Sequence, residues 1–493
     1  MFKRYLERFI DQENFLLKLL LGAAALLWLA PAFSPLWCDE TITYWMIAGG
    51  WAQALHRALS FQEWSTAYFM LEKACMAVGG GSEFMLRLPS LAAAAAATRA
   101  VYLLAKRLGG IRAGLPAAIV FAVSAAVAEH AAEARPYAFS LAFVTLSTLY
   151  LVKTLDGGKP RDAVLYALFA ALAAYMQLLS AVVLAVHLLY WTCRRFIDKD
   201  VGGVFPAALA GAAVLMLPLL IPARSLFARH AALLFSPYPG TGKFILYVLQ
   251  RPLIFGAAAG LLLTRPTPPS KTEIKALPVS TLALALGLAL LPPLIFFCAG
   301  YMLHARIWVP RYFMYSQAGT ALCAGILLGM IRQERALRVT LACIAAAILM
   351  SHTRFSRFYA DWRDAAAYSS QKAAGLNAGA AFISPFIESM QPGWRDDAGK
   401  ASYLTAPLTY YPAGVTPAVL PLNLTPENKE QVAESIKTAA GGRDAMMIFS
   451  FKDPDYADFI KKCLAEDGFF LKEQRVGVNN PAVAVYVRPK ILP

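Results

Sequence analysis

Two acid-bearing stretches and a handful of cations are the residues of this chain with the means to do chemistry. The first stretch is Trp37-Cys38-Asp39-Glu40-Thr41. A carboxylate there can take a proton from a hydroxyl as a general base; alternatively, Asp39 simply caps the helix that starts beside it. The second is Glu129-His130-Ala131-Ala132-Glu133-Ala134-Arg135-Pro136-Tyr137, which sets another acid and a cation close together before a proline suited to a first helical turn. Glu133 and Arg135 also read as a plain surface ion pair, and His130 reads as an ordinary loop histidine rather than a ligand. The cations are Arg224, Arg229, Lys243, Arg306 and Arg311. One alone would contact only lipid headgroups. Five in two loops suggest an anion site, because a phosphate leaving group needs its charge offset.

The elements that must position these residues lie in a membrane. The chain has 493 residues, of which 58% are apolar and only 16% charged, with mean hydropathy +0.51. A soluble globule carries about a quarter charged residues, so that class is excluded. The apolar residues fall in runs of bilayer-crossing length: 15–37, 84–105, 113–130, 137–153, 162–177, 179–194, 203–222, 245–263, 277–299, 312–331 and 337–351. The expectation is a mainly α polytopic membrane protein of about eleven helices. The first run is too long for a signal peptide and is read as a retained helix. Lys/Arg clusters fall at alternate junctions: Lys106/Arg107/Arg112, Lys153/Lys159/Arg161, Arg194/Arg195/Lys199, Arg265/Lys271/Lys275 and Arg332/Arg335/Arg338. This is the pattern of one consistent threading, with a cytoplasmic N-terminus and, after an odd number of spans, an outer C-terminus. It also accounts for the net charge of +15 without nucleic acid, since no basic stripe interleaves with aromatics. The segment 162–194 is short for two helices. A single helix there would invert everything after it, and the charge pattern favours two.

Two regions lie outside the spans. In the loop 37–83, Ile42, Trp45, Met46, Gly49, Ala52 and Leu55 keep helical spacing, which predicts an interfacial helix; a second is expected over 61–77. The segment 353–493 predicts a small α/β domain outside the membrane, with helices at 361–374, 426–439 and 454–466 and strands at 379–385, 444–450 and 482–488. The seven cysteines show no paired spacing, so neither a disulfide framework nor a metal site is indicated.

Several motifs in order resemble the protein O-mannosyltransferase-like glycosyltransferases of the GT-C superfamily (glycosyltransferase family 39-type), which include the lipid A aminoarabinose transferases. They are Asp39-Glu40, Glu83-Phe-Met-Leu-Arg87-Leu-Pro89-Ser90, Tyr102, Arg107-Leu-Gly109, Glu133-Ala-Arg135-Pro136-Tyr137, Pro310-Arg311-Tyr312 and Asp361-Trp-Arg363-Asp364. The resemblance covers roughly 37 to 365. It implies transfer of a sugar from a polyprenyl-phosphate donor to a hydroxyl of a lipid, glycan or protein on the outer face of a plasma membrane. It carries the catalytic carboxylates onto Asp39, Glu40 and Glu133, and substrate binding onto Arg135, Tyr137, Arg311 and Tyr312, with Arg306, Lys243 and Arg87 completing the expected set. Many relatives have His-Pro-Pro-Leu-Tyr where this chain has Glu63-Trp-Ser-Thr-Ala-Tyr68, which leaves the acceptor open. The donor brings its own leaving group, so no nucleotide or other cofactor is expected; distant relatives use a divalent metal, for which this sequence shows no ligand cluster. The alternatives are a transporter or lipid-linked-sugar flippase, which would carry mid-membrane charges and matching halves, and a non-catalytic scaffold displaying 353–493.

Overall fold

A computed structural model of the chain describes all residues except 1–14, 16, 17, 20, 21, 25, 200–203, 229–239, 269–276, 303–306, 353–360, 451–452, 477–481 and 490–493. The chain forms two compact units, one of residues 1–32 and 55–355 and one of residues 33–54 and 356–493.

The first unit is helical. Five of its described helices are long and apolar enough to cross a bilayer: Glu83–Gly109, Tyr137–Leu155, Leu178–Ile197, Phe205–Arg224 and Val279–Met302. Two bent pairs raise the number to seven, Ile111–Val123 with Ala125–Ala131 (64°) and Thr241–Leu249 with Arg251–Thr264 (41°). Each bend has a local cause. Ser124 takes extended backbone angles and its Oγ accepts the Val127 N–H at 3.3 Å, capping the second piece. Gln250 adopts the left-handed conformation (φ 46°) just before Pro252. Each predicted run from 84 to 351 is helical over most of its length, while the run 15–37 is described only in part, with Gly22–Ala32 helical. This is a multi-pass membrane protein. Close helix approach rests on small residues, as membrane packing favours. A Cβ on Gly260 would stand 2.3 Å from the Thr340 Cα, so helices Arg251–Thr264 and Glu334–Ser351 touch backbone to backbone.

The five basic junctions meet at one end of this bundle. Asp156 accepts from Arg107 Nε and Arg194 Nη1, both at 2.5 Å. Arg112 donates to the Arg332 carbonyl at 3.3 Å, Gln333 exchanges two bonds with Thr267 (3.0 and 3.2 Å), and the Ser280 N–H reaches Asp198 at 3.1 Å. These contacts join all five junctions in a ring. They also show how 162–194 folds. Helix Pro160–Met176 starts beside Asp156, the chain breaks at Gln177, and Arg194 returns to Asp156, so two short helices run out and back.

The second unit contains a five-stranded sheet in the order β2-β1-β3-β5-β4. Its strands are β1 (Ala378–Ile383), β2 (Pro417–Leu420), β3 (Ala445–Ser450), β4 (Phe470–Val476) and β5 (Ala482–Val487). β1 pairs in parallel with β2 and β3, and β5 runs antiparallel to β3 and β4. Alternation along the strands splits the core in two. Ala381, Ile383, Met446 and Ile448 pack with Val432, Ile436, Ile460 and Leu464 of helices Lys429–Ala440 and Pro454–Glu466. Phe382 turns the other way, packing at a tilt against Trp362 (5.3 Å between centroids) and Phe449 (6.1 Å).

Residues 33–54 belong to this same unit. The single helical face expected from Ile42 to Leu55 is interrupted: helix Cys38–Ile47 ends at Ala48, Gly49 sits at φ 82°, and a new helix begins at Trp51. A left-handed residue is cheap only at glycine, and it redirects the chain. Ile42, Trp45 and Met46 are buried while Leu55 is 42% exposed, so the first half of that face serves the second unit's core.

Candidate active site

Within the helical unit, the bend at Ser124 positions the second acidic stretch. Helix Ala125–Ala131 is two turns long, and the chain then turns through 132–136 into helix Tyr137–Leu155, with Pro136 as its N-cap. Glu133 is 1% and His130 8% exposed. A short hydrogen bond joins His130 Nδ1 to Glu133 Oε2. His130 and Glu133 thus form a buried dyad, Glu133 and Arg135 are both below the surface rather than on it, and His130 is not the ordinary loop histidine that its sequence context suggested. A carboxylate held this way can orient or accept a proton in a dry setting.

Arg135 is also buried, and its guanidinium lies 5.9 Å from the Tyr137 ring centroid. Arg311 stands 5.7 Å from the same centroid and 5.9 Å from that of Tyr312. The His130 ring is 5.1 Å from Tyr137. Arg311 owes its place to an aromatic anchor: Trp308 packs on Phe313 (4.7 Å), Phe244 (5.8 Å) and Tyr247 (6.0 Å), and Tyr247 Oη bonds Ser316 Oγ at 2.8 Å. Two guanidiniums thus lie within cation–π range of one tyrosine ring, a concentration of positive charge suited to an anionic group. Arg135, Tyr137, Arg311 and Tyr312 are therefore brought together as the motifs imply.

Helix Thr66–Gly79 brings charge that the sequence reading passed over. Tyr68 is fully buried with its ring 6.0 Å from Phe139, which sets this helix beside the start of helix Tyr137–Leu155. One turn on, Glu72 is fully buried and Lys73 is 8% exposed. Buried charges at a membrane are costly and mark function more often than packing. The Glu63–Ser65 turn before it is fastened by Ser65 Oγ, which donates to the Met176 carbonyl at 3.1 Å.

The other predicted residues disperse. Arg87 is fully buried and gives Nη1 to the carbonyls of Pro31 (3.2 Å) and Ala32 (3.0 Å), where a cation suits a helix C-terminus. Lys243 and Arg224 are exposed, and Arg306 and Arg229 lie outside the described residues.

In the second unit, Asp39 occupies the first turn of helix Cys38–Ile47. The capping role considered for Asp39 falls to Glu40, whose Oε2 accepts the Trp37 N–H at 3.2 Å while the residue is fully buried. Beside it, burial pushes the Cys38 thiol up to about 12; the hydrogen bond from Trp362 Nε1 (3.4 Å) opposes that rise and the Asp39 charge adds to it. Cys38 is thus an inert neighbour.

Residues 66–222 match the family model described as dolichyl-phosphate-mannose-protein mannosyltransferase. That stretch holds the His130–Glu133 dyad, Arg135, Tyr137 and the buried Glu72 and Lys73. No curated protein sequence matches the chain. Among solved structures, it is similar to ArnT from Cupriavidus metallidurans bound to undecaprenyl phosphate, at 13% identity and TM-score 0.56, over 95% of this chain and 97% of that one. The apo form of the same protein gives 12% identity and TM-score 0.55 over 96% and 98%. The chain shares the fold of ArnT. The family match covers the helices that carry the site, and the shared fold extends over nearly the whole chain. The likeness to ArnT runs through the sheet domain as well as the helices, which the motifs alone did not cover.

Proposed function

We propose that this protein is a GT-C glycosyltransferase that moves a sugar from a polyprenyl-phosphate donor to a hydroxyl acceptor on the outer face of a bacterial inner membrane. In this reading the chain crosses the membrane eleven times from a cytoplasmic N-terminus, and residues 353–493 form a periplasmic domain. The observation that carries it is the pair of guanidiniums, Arg135 and Arg311, on the Tyr137 ring beside the buried His130–Glu133 dyad.

The acceptor oxygen attacks the anomeric carbon and the bond from that carbon to the phosphate oxygen breaks, so configuration inverts. The bonding pair leaves with the polyprenyl phosphate. Arg135 and Arg311, with Lys73 as a further cation, offset the charge that grows on it. Asp39 takes the acceptor's proton or orients the acceptor, Glu133 serves as the second carboxylate, and His130 holds Glu133 in place.

A panel of radiolabelled polyprenyl-phosphate sugars carrying mannose, glucose or aminoarabinose, incubated with the purified protein in bacterial membrane extract, tests the activity. Transfer from at least one is expected. Asp39→Asn should lower it by about a thousandfold, the range of a lost general base. Full transfer by a folded Asp39→Asn protein removes Asp39 from the chemistry, and no transfer from any donor overturns the reading.

A further inference from the structure

The C-terminal domain carries no motif that reads as catalytic, yet it is built around the segment bearing Asp39. Helix Cys38–Ile47 is held on three sides within the second unit. Trp45 Nε1 donates to Ser402 Oγ at 3.1 Å, and the Trp45 ring meets Tyr403 edge-on at 5.4 Å. Tyr44 meets Tyr410 edge-on at 4.7 Å. At its entry, the Leu36 N–H gives a 2.8 Å hydrogen bond to Tyr411 Oη, and Trp362 Nε1 reaches Cys38 Sγ. Trp45 is 2% and Tyr403 3% exposed, so these contacts are core contacts rather than surface ones.

The same aromatic cluster is itself braced. Tyr403 packs on Phe386 at 5.5 Å, and Phe386 leads into the turn Ile387–Met390. Arg395 Nη1 fixes that turn by donating to the Ser389 carbonyl at 2.7 Å.

We propose that the C-terminal domain is the clamp that positions the Asp39 helix. This rests on the reading of Asp39 given above. The domain is then part of the transfer machinery although none of its residues touches the reacting atoms.

Two measurements on the full chain in detergent test it. In hydrogen exchange, Ser402→Ala and Tyr403→Leu should each speed exchange of amides 38–47 by about tenfold, with β3 and helix Tyr137–Leu155 unchanged. Unchanged exchange at 38–47 overturns the clamp whatever the activity. In the transfer assay, Tyr403→Leu should lower kcat by about tenfold while the donor KM stays within twofold. Unchanged kcat with a faster-exchanging helix overturns the clamp's part in transfer, whereas active Asp39→Asn with kcat lowered in the clamp variants overturns only the reading of Asp39.

Discussion

The two ends of the helical unit handle charge in opposite ways. At the end with the basic junctions, charges are satisfied by one another across helices: Asp156 between Arg107 and Arg194, and Arg112 on the Arg332 carbonyl. Most of these groups keep contact with solvent, and the Arg107 side chain is 40% exposed. At the end with Glu133, the charges are sunk into the protein. Glu133, His130 and Arg135 are each less than a tenth exposed, as are Glu72 and Lys73 on the helix packed beside them. Solvated pairs that join helix ends do architectural work and are worth little individually. Burying several charges in one place is expensive, and a protein sustains that cost where a charged substrate or transition state will meet them.

The sharpest way to break this contrast is at the dyad. Glu133→Gln keeps the size and a hydrogen-bonding oxygen but removes the charge. Transfer should fall by about a hundredfold or more, within the range for a positioned acid or base, with folding intact by thermal scan. A variant within threefold of the wild type would make the dyad architectural. Arg311→Ala should cost about a hundredfold in kcat, as loss of one transition-state donor does. Arg311→Lys should recover only part of it, because a point charge cannot match the planar fork beside Tyr137. Complete recovery by lysine would reduce Arg311 to a diffuse positive field.

Much of this contrast was legible in the sequence, and the rest was hidden for physical reasons. Run length and the charges at run ends are local properties, so the helices and the alternation of basic junctions could be read directly. Strands β1, β3 and β5 were found because they are continuous apolar runs. β4 (Phe-Leu-Lys-Glu-Gln-Arg-Val) is an exposed edge strand with charges on it, and β2 has four residues starting with proline; neither has a pattern to read. Glu133, Arg135 and Tyr137 stood out as a motif. The partnership of His130 depended on a bend at Ser124 inside the run 113–130, which read as one continuous helix. Glu72 and Lys73 fall within the second interfacial helix expected over 61–77, and only tertiary packing reveals that they are buried. The union of residues 33–54 with the C-terminal domain links Leu36 to Tyr411 across 375 positions, a distance at which sequence spacing carries no signal.

The smallest expected effect tests the opposite end. Asp156→Asn removes the charge shared by Arg107 and Arg194. Arg107 then relaxes into water at little cost. Arg194 has a side chain only 9% exposed, but its Nη1 keeps the Tyr190 hydroxyl as acceptor at 3.3 Å, so it is not left without a polar partner. The loss should be about 1 kcal/mol, the upper range of a solvent-accessible pair and well short of the cost of orphaning a fully buried charge. Thermal unfolding in detergent should drop by about 2 °C, and transfer at 25 °C should be unchanged. A loss of transfer comparable with that of Glu133→Gln would mean that both ends are coupled to the chemistry. The division of labour between solvated and buried charge would then give way to a bundle in which moving one end moves the other.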